Sequence, residues 1–346
     1  MSNEELLFEL KMKIARAMMF GLNVDDFVRQ LLQIMRETGD KTKSDVISEF
    51  YYKRKHNNNN TLSVSMIIKD EEELLEDTLM NVSEIADEII IIDTGSTDKS
   101  KYIASRFTNK IWDFPWQDDY SLARNFSLDK CSSAWVLYLD ADEQLTDASK
   151  KIIKNLISKV DDNTGLLITK ILNKAIDEKG NLYDYIGQYP RLFRNIGFPL
   201  LHFFGKIHEQ IAPSLINFGF DMQNSGIEII HSGYAISPAE MNDKVKRNLD
   251  TLVKHVQQDS QNAYTWYQLG NTLYQMQEFK QCIDLLENAL RCKNLTPFLS
   301  SNSALAIADS YHKIGNKNRA IEYCQKSIEF NPKNTVAEIL LHHIDV

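Results

Sequence analysis

The sequence predicts an α/β protein built on a mostly parallel sheet, with a small helical region before it and an all-α region after it. Three observations carry that expectation. Apolar runs alternate with helix-like segments from residue 61 to about residue 160, apolar residues recur at helical spacing before residue 56, and a helical repeat follows residue 238.

The elements follow in order. Leu6, Leu7, Leu10, Ile14, Ala17 and Met18, then Phe27, Leu31, Ile34 and Met35, sit at helical spacing and make residues 1–56 an N-terminal helical region. The polar "KRKHNNNN" offers no apolar face and reads as a connector, so a second domain, 61–237, begins at Thr61. There "TLSVSMII" precedes the helical "EEELLEDTLMNV", "EIIIID" precedes "STDKSKYIASRF", "IWDFPW" precedes "DYSLARNFSLDKC", and "WVLYLDADE" precedes "DASKKIIKNLISKV". Strand-then-helix units of this kind wind a right-handed, largely parallel sheet. Beyond them "GLLITKIL" and "IEIIHSGY" read as shorter β segments on an acceptor side. Residues 238–346 read as wholly helical, and they repeat. Trp266, Leu269, Gly270, Cys282, Leu286 and Ala289, then Ala308, Tyr311, Ala320, Ser327 and Pro332, fall at tetratricopeptide spacing, with small residues where paired helices approach closely. Two repeats alone are seldom stable, so helix 238–258 and the preceding domain are expected to cover them. Such an array serves as a concave peptide-binding surface, or as a homodimer interface or a cap.

Composition removes several classes. The 346 residues are 43% hydrophobic, enough for two or three domains with cores, and a formal charge of -9 without a long basic stripe argues against nucleic acid as a partner. Cys131, Cys282, Cys292 and Cys324 show neither C-x-x-C nor zinc spacing, and reduced thiols in a cytoplasmic protein account for them. No apolar stretch reaches a membrane span, and "MSNEELLFELKMK" is too charged for a signal peptide.

The chemistry concentrates where apolar strands end in carboxylates. "WVLYLDADE" closes on Asp140, Asp142 and Glu143, and on an extended chain residues i and i+2 share a side, so Asp140 and Asp142 can converge on one cation or ligand. Hard oxygen donors suit Mg²⁺ or Mn²⁺. An EF-hand starting at Asp140 fails, because Leu145 and Lys151 stand where Gly and Glu are needed. A haloacid-dehalogenase-type phosphatase normally has Thr or Val where this chain has Gln144, and a solvated acidic loop is the bland alternative. In "IIIIDTGSTD" Gly95 permits a tight turn and Thr97 or Asp98 can cap the next helix, while Asp93, before the turn, is free to accept hydrogen bonds from a ribose or base.

"SVSMIIKDEE", "IIIIDTGSTD", "DFPWQDDYSLARN", "WVLYLDADE", "RLFRN", "GKIHEQI" and "IIHSGY" occur in that order and resemble family 2 glycosyltransferases of the GT-A, Rossmann-like fold, over about residues 61 to 255. The N-terminal helices, this core and the helical tail together are similar to the enzymes that glycosylate glycocins, which are ribosomally made antimicrobial peptides. The resemblance implies roles. Asp93 contacts the uridine of a UDP-sugar, helped by Asp70 or Glu71 and by Arg124; Asp140 and Asp142 hold Mg²⁺ or Mn²⁺ and the ribose-diphosphate, with His231 completing the metal site. Glu209 stands at the place of the general base, His208 orients that base or the diphosphate, and Arg191 and Arg247 meet phosphate.

The expected activity is therefore inverting, metal-dependent transfer of a hexose, with glucose the first candidate, from a UDP-sugar to Cys or Ser of a precursor peptide. Synthesis of cell-surface polysaccharide or lipid-linked sugar is the second expectation. A tetratricopeptide interaction module with a degenerate enzyme domain is the third, and intact Asp93, Asp140, Asp142 and Glu209 argue against it.

Overall fold

The structure, a computed structural model, describes residues 8, 11–14, 25–37, 39, 44, 45, 48, 60–176, 182–207, 209–216, 218–232, 238–332 and 334–345. The chain forms two compact units, Met1–Pro238 and Ala239–Val346.

Eight strands make the sheet of the first unit: β1 (Leu62–Ile68), β2 (Glu88–Asp93), β3 (Ile111–Asp113), β4 (Trp135–Leu139), β5 (Glu143–Leu145), β6 (Thr164–Ile176), β7 (Leu182–Arg194) and β8 (Asp221–His231). Their order is β3-β2-β1-β4-β7-β6-β8-β5. β1, β2, β3 and β4 pair in parallel, β7 runs antiparallel between β4 and β6, and β8 is parallel to β6. Strand alternation divides the apolar side chains between two cores. Ile90, Ile92, Val136, Tyr138 and Phe193 enter one, while Ile89, Ile91, Leu137, Leu139 and Leu192 enter the other. Helices α1 (Asp25–Glu37) and α4 (Tyr120–Lys130) contribute Val28, Leu31, Met35, Ala123 and Leu128 to the first core. Helices α2 (Leu75–Ser83), α3 (Ser100–Ser105) and α5 (Asp147–Lys159) contribute Leu75, Leu79, Ile103, Ile153 and Ile157 to the second. The N-terminal helix thus shares the sheet's own core. A short α6 (Ala212–Ile216) precedes β8.

Two differences from the sequence reading bear on the site. β3 stops at Asp113, where "IWDFPW" read as a longer strand, because Pro115 cannot continue a ladder. β7 was not foreseen as a strand: its alternation is broken by Gly187 and by Pro190, and Pro190 falls where the β6–β7 register shifts.

The second unit is all-α: α7 (Pro238–Gln258), α8 (Ala263–Gln275), α9 (Phe279–Arg291), α10 (Pro297–Lys313), α11 (Lys317–Phe330) and α12 (Thr335–Asp345). Asn262, Thr296 and Asn316 cap α8, α10 and α11 through backbone N–H groups three residues on. The core is made of small and medium side chains, Cys282, Leu286, Ala304, Ala308, Ala320 and Cys324, with Leu249 of α7 packed against it. Gly270 makes the closest approach: a Cβ there would lie 2.5 Å from Leu286 Cδ2. No helix among the described residues is long and apolar enough to cross a membrane.

Candidate active site

The carboxyl ends of β1, β2 and β4 deliver the acidic residues to one edge of the sheet, where open α/β sheets bind ligands. The central structure there is a charge network on the ring of Tyr138. The guanidinium of Arg191 lies 4.3 Å from that ring's centroid and that of Arg124 4.8 Å. Arg124, only 3% exposed on α4, donates from Nη2 to Asp140 and from Nε to Glu209 Oε1 at 3.1 Å. Arg191 Nη2 donates to Glu143 Oε1 at 2.6 Å and reaches Asp140 Oδ2 at 3.3 Å. Burial alone would raise the Asp140 carboxyl, but the two arginines hold it well below the usual carboxylate range. Burial pushes Glu143 up to about 7 even with Arg191 against it. Arg124 Nη1 and Arg191 Nε are buried without a hydrogen-bond partner among the described residues.

Asp142 faces elsewhere. Its Oδ2 lies 3.1 Å from His231 Nε2, and His231 Nδ1 lies 2.9 Å from Asn173 Oδ1. Sheet register sets this contact, since His231 of β8 pairs with Asn173 of β6 on one side and with Glu143 of β5 on the other. Asp140 and Asp142 therefore take different partners. The expectation that they share a side of an extended chain fails because β4 ends at Leu139 and both lie in the turn beyond it.

Asp93 is also differently used. It is buried, and its carboxylate accepts from Gly95 N at 3.1 Å and from Ser96 N at 3.1 Å, so it closes its own turn, with Gly95 at φ 113°. Asp70, at φ 53°, ties that turn to β1: its Oδ1 accepts from Thr97 N at 2.7 Å. Glu71 looks toward the acidic residues. Burial first, then repulsion from Asp142 and Asp140, pushes its carboxyl up to about 7. Of the other expected residues, His208 lies outside the described residues, and Arg247 falls within α7 with its side chain outside them.

A cavity of about 220 Å³ takes in part of this set, but not Asp93, Asp70, Glu71 or Asp142. Arg124, Tyr138, Asp140, Glu143, Arg191, Glu209 and His231 line one part, and Ile171, Asn173, Tyr185, Tyr189 and Pro190 line another. Tyr138, Asn173, Tyr185 and Tyr189 were not singled out from the sequence. Tyr138 lies two residues before Asp140, a spacing that could have found it; the β6 and β7 residues arrive through a register no local pattern records.

The acidic strand ends and the two arginines place the site where open α/β sheets bind ligands. Residues 63–207 match the family model for glycosyl transferase family 2 and residues 302–334 that for a tetratricopeptide repeat, so the chain carries a family 2 glycosyltransferase domain and a tetratricopeptide repeat. Among curated proteins it is 28% identical over 279 residues to a TPR repeat-containing protein of Synechococcus elongatus, covering 78% of this chain and 66% of that one. It is 25% identical over 238 residues to the SPbeta prophage-derived glycosyltransferase SunS of Bacillus subtilis, covering 66% of this chain and 53% of that one. The chain thus spans about half to two thirds of these relatives' length. Among solved structures, S. aureus TarS 1-349 in complex with UDP-GlcNAc matches at 13% identity and a TM-score of 0.43, over 78% of this chain and 91% of that one.

Proposed function

We propose that the chain is an inverting glycosyltransferase that moves a hexose from a UDP-sugar to Cys or Ser of a ribosomally made peptide. The observation that carries this reading is Arg124, one guanidinium bound both to Asp140 on the donor side and to Glu209 in the same cavity. The unpartnered Arg124 Nη1 and Arg191 Nε suit the oxygens of a diphosphate. Glu209 accepts the acceptor's proton, the freed lone pair forms a bond to the anomeric carbon, and the bond from that carbon to UDP breaks with its electrons leaving on the diphosphate. Arg124 then holds the base in place and meets the leaving charge. The peptide acceptor rests on the resemblance of core and helical tail to glycocin-modifying enzymes.

A divalent ion fits the residues in part. Among the described residues no group of three or more His, Cys, Asp or Glu side chains comes together as a metal site. Asp142 and His231, however, present a carboxylate oxygen and an imidazole nitrogen side by side, with Asn173 behind the imidazole, and Glu71 is crowded by negative charge. This mixed pair favours Mn²⁺ over Mg²⁺, which keeps to oxygen. When bound, the ion stabilises charge on the departing diphosphate. Asp142 and His231 are the residues that would hold it, and Asp140 stays with the arginines.

The test incubates the chain with UDP-glucose, UDP-galactose or UDP-GlcNAc, Mn²⁺ or Mg²⁺, and Cys- or Ser-containing peptides, reading UDP release and intact peptide mass. One added sugar per acceptor is expected, and Glu209→Gln should lower transfer to Ser by roughly 10²- to 10⁴-fold, with a smaller loss on the more acidic thiol of Cys. A folded chain that releases no UDP from any donor with either metal would sink the reading.

A further inference from the structure

The cavity has a second wall that the donor chemistry leaves unused, and it is aromatic. Beyond the register shift at Ile168 the strand β7 is regular, so Tyr183, Tyr185, Gly187 and Tyr189 alternate onto one face. Their partners on β6 are Ala175, Asn173, Ile171 and Thr169. Tyr185 and Tyr189 line the cavity that holds Glu209 and Asp140, and so do Ile171 and Asn173 of the same face. The row therefore begins at the charged centre and runs outward along the hairpin to Tyr183.

Three large rings in such a row are costly to leave in water. Tyr183 is 50% exposed, Tyr185 39% and Tyr189 50%. Gly187 between them is a matter of space: a Cβ there would lie 2.6 Å from Tyr189 Cε2, so the missing side chain lets the Tyr189 ring lie down over the strand. The aromatic part of the lining carries no formal charge, unlike the part with two arginines and three carboxylates. A phosphate-bearing donor has its partners on the charged wall, which leaves the phenol rings to the molecule that attacks.

We propose that Tyr183, Tyr185 and Tyr189 form the acceptor subsite and hold an extended peptide with the reacting residue over Glu209 and its neighbours' side chains on the rings. The spacing favours a peptide. The Tyr183 and Tyr185 ring centroids are 6.3 Å apart, close to the roughly 6.4–6.8 Å that separates side chains i and i+2 of an extended chain. Each ring offers an apolar face at little entropic cost, which suits side-chain recognition. This subsite deepens the glycosyltransferase reading and rests on it.

The test separates the two. Fluorescein-labelled octapeptide pools, with Cys or Ser fixed at the centre and mixed residues around it, are titrated without donor against the intact chain and against Tyr183→Ala, Tyr185→Ala, Tyr189→Ala and Gly187→Ala. UDP-sugar hydrolysis without peptide is measured on the same proteins, with circular dichroism to verify folding. Expected are about 5- to 10-fold weaker peptide binding for Tyr185→Ala and Tyr189→Ala and a smaller loss for Tyr183→Ala. Gly187→Ala should weaken binding by displacing Tyr189, and hydrolysis by the parent chain reports the donor reaction separately from peptide binding. Peptide binding that depends on the tyrosines in a chain that hydrolyses no UDP-sugar would keep the subsite and remove the donor reading. Pools that bind none of the proteins, or bind folded variants as well as the parent, overturn the subsite. So does tyrosine-dependent binding of a labelled maltooligosaccharide in place of peptide.

Discussion

Replacing Arg124 with methionine tests the network at its centre, because methionine keeps an unbranched apolar stem over Tyr138 and removes only the charge and donors. Two carboxylates lose a partner, and they lose unequally. Asp140 is 40% exposed and retains Arg191 at 3.3 Å, so its share is that of a solvated pair, ~0–1 kcal/mol. Glu209 is 13% exposed and its ion pair is with Arg124, so its loss approaches that of a broken buried pair, ~3–5 kcal/mol at most. Part of that is recovered by water entering from the open side of the cavity, which leaves an expected destabilisation of about 2–4 kcal/mol. The assay is urea unfolding at pH 7.5 of the parent, Arg124→Met, Glu209→Gln and the double variant. If the cost is an orphaned carboxylate, neutralising Glu209 should return about 1–2 kcal/mol, seen as coupling in the cycle. A coupling energy near zero would show that Arg124 and Glu209 do not sense one another and would remove the bridge on which the proposed base depends.

Three further outcomes follow from other parts of the chain. Glu88 is held down to about 2 despite burial, by Lys110, Ser63 and Ser132; its folded value lies below its ordinary 4.5, so its contribution, ~3 kcal/mol, is complete above about pH 4.5 and is lost as pH falls toward 2. Unfolding curves of parent and Glu88→Gln should therefore differ most at pH 7 and converge near pH 2, and parallel curves would contradict this. Gly270→Ala should destabilise the helical unit by ~1–3 kcal/mol, read by thermal circular dichroism, because the added methyl meets Leu286 side chain and, at 3.3 Å, its backbone nitrogen. Asp142→Asn and His231→Ala should each weaken Mn²⁺ binding, followed by electron paramagnetic resonance without substrate, by about 10- to 100-fold, and unchanged titrations would return both residues to a structural role.

Much of the fold was legible because the signal was local. Ile89 to Ile92 form an unbroken apolar run, and such a run between helical segments is a doubly covered parallel strand; in the structure the odd residues fill one core and the even ones the other. The tetratricopeptide pattern was legible for the same reason, since Gly270, Ala308 and Ala320 mark close helix contacts at fixed spacing. β7 was not, because Pro190 and Gly187 imitate a loop and its pairing with β4 and β6 is long-range. Within the site, Arg124, Arg191, Asp140, Glu209, Asp142 and His231 do meet in contacting pairs, but who pairs with whom was not legible. Asp93 shows why: whether a strand-end aspartate faces a ligand or accepts the N–H groups two and three residues on is decided by one turn's dihedral angles.

The cluster Asp140-Ala141-Asp142-Glu143 then has a fuller explanation than a metal alone. Its carboxylates divide among three basic side chains, with Arg191 shared by two of them. Asp140 lies between Arg124 and Arg191, Glu143 takes Arg191 from the buried side, and Asp142 takes the imidazole of His231. Two largely buried guanidiniums stacked on one tyrosine would carry a large desolvation cost without such partners. The negative charge therefore serves first to keep two guanidiniums in place, with Arg124 Nη1 and Arg191 Nε still unfilled. On the proposed reading, a diphosphate meets guanidiniums that these carboxylates already hold in place. Removing Asp140 should accordingly affect more than one partner: Arg124 and Arg191 would each lose a carboxylate, keeping only Glu209 and Glu143 respectively.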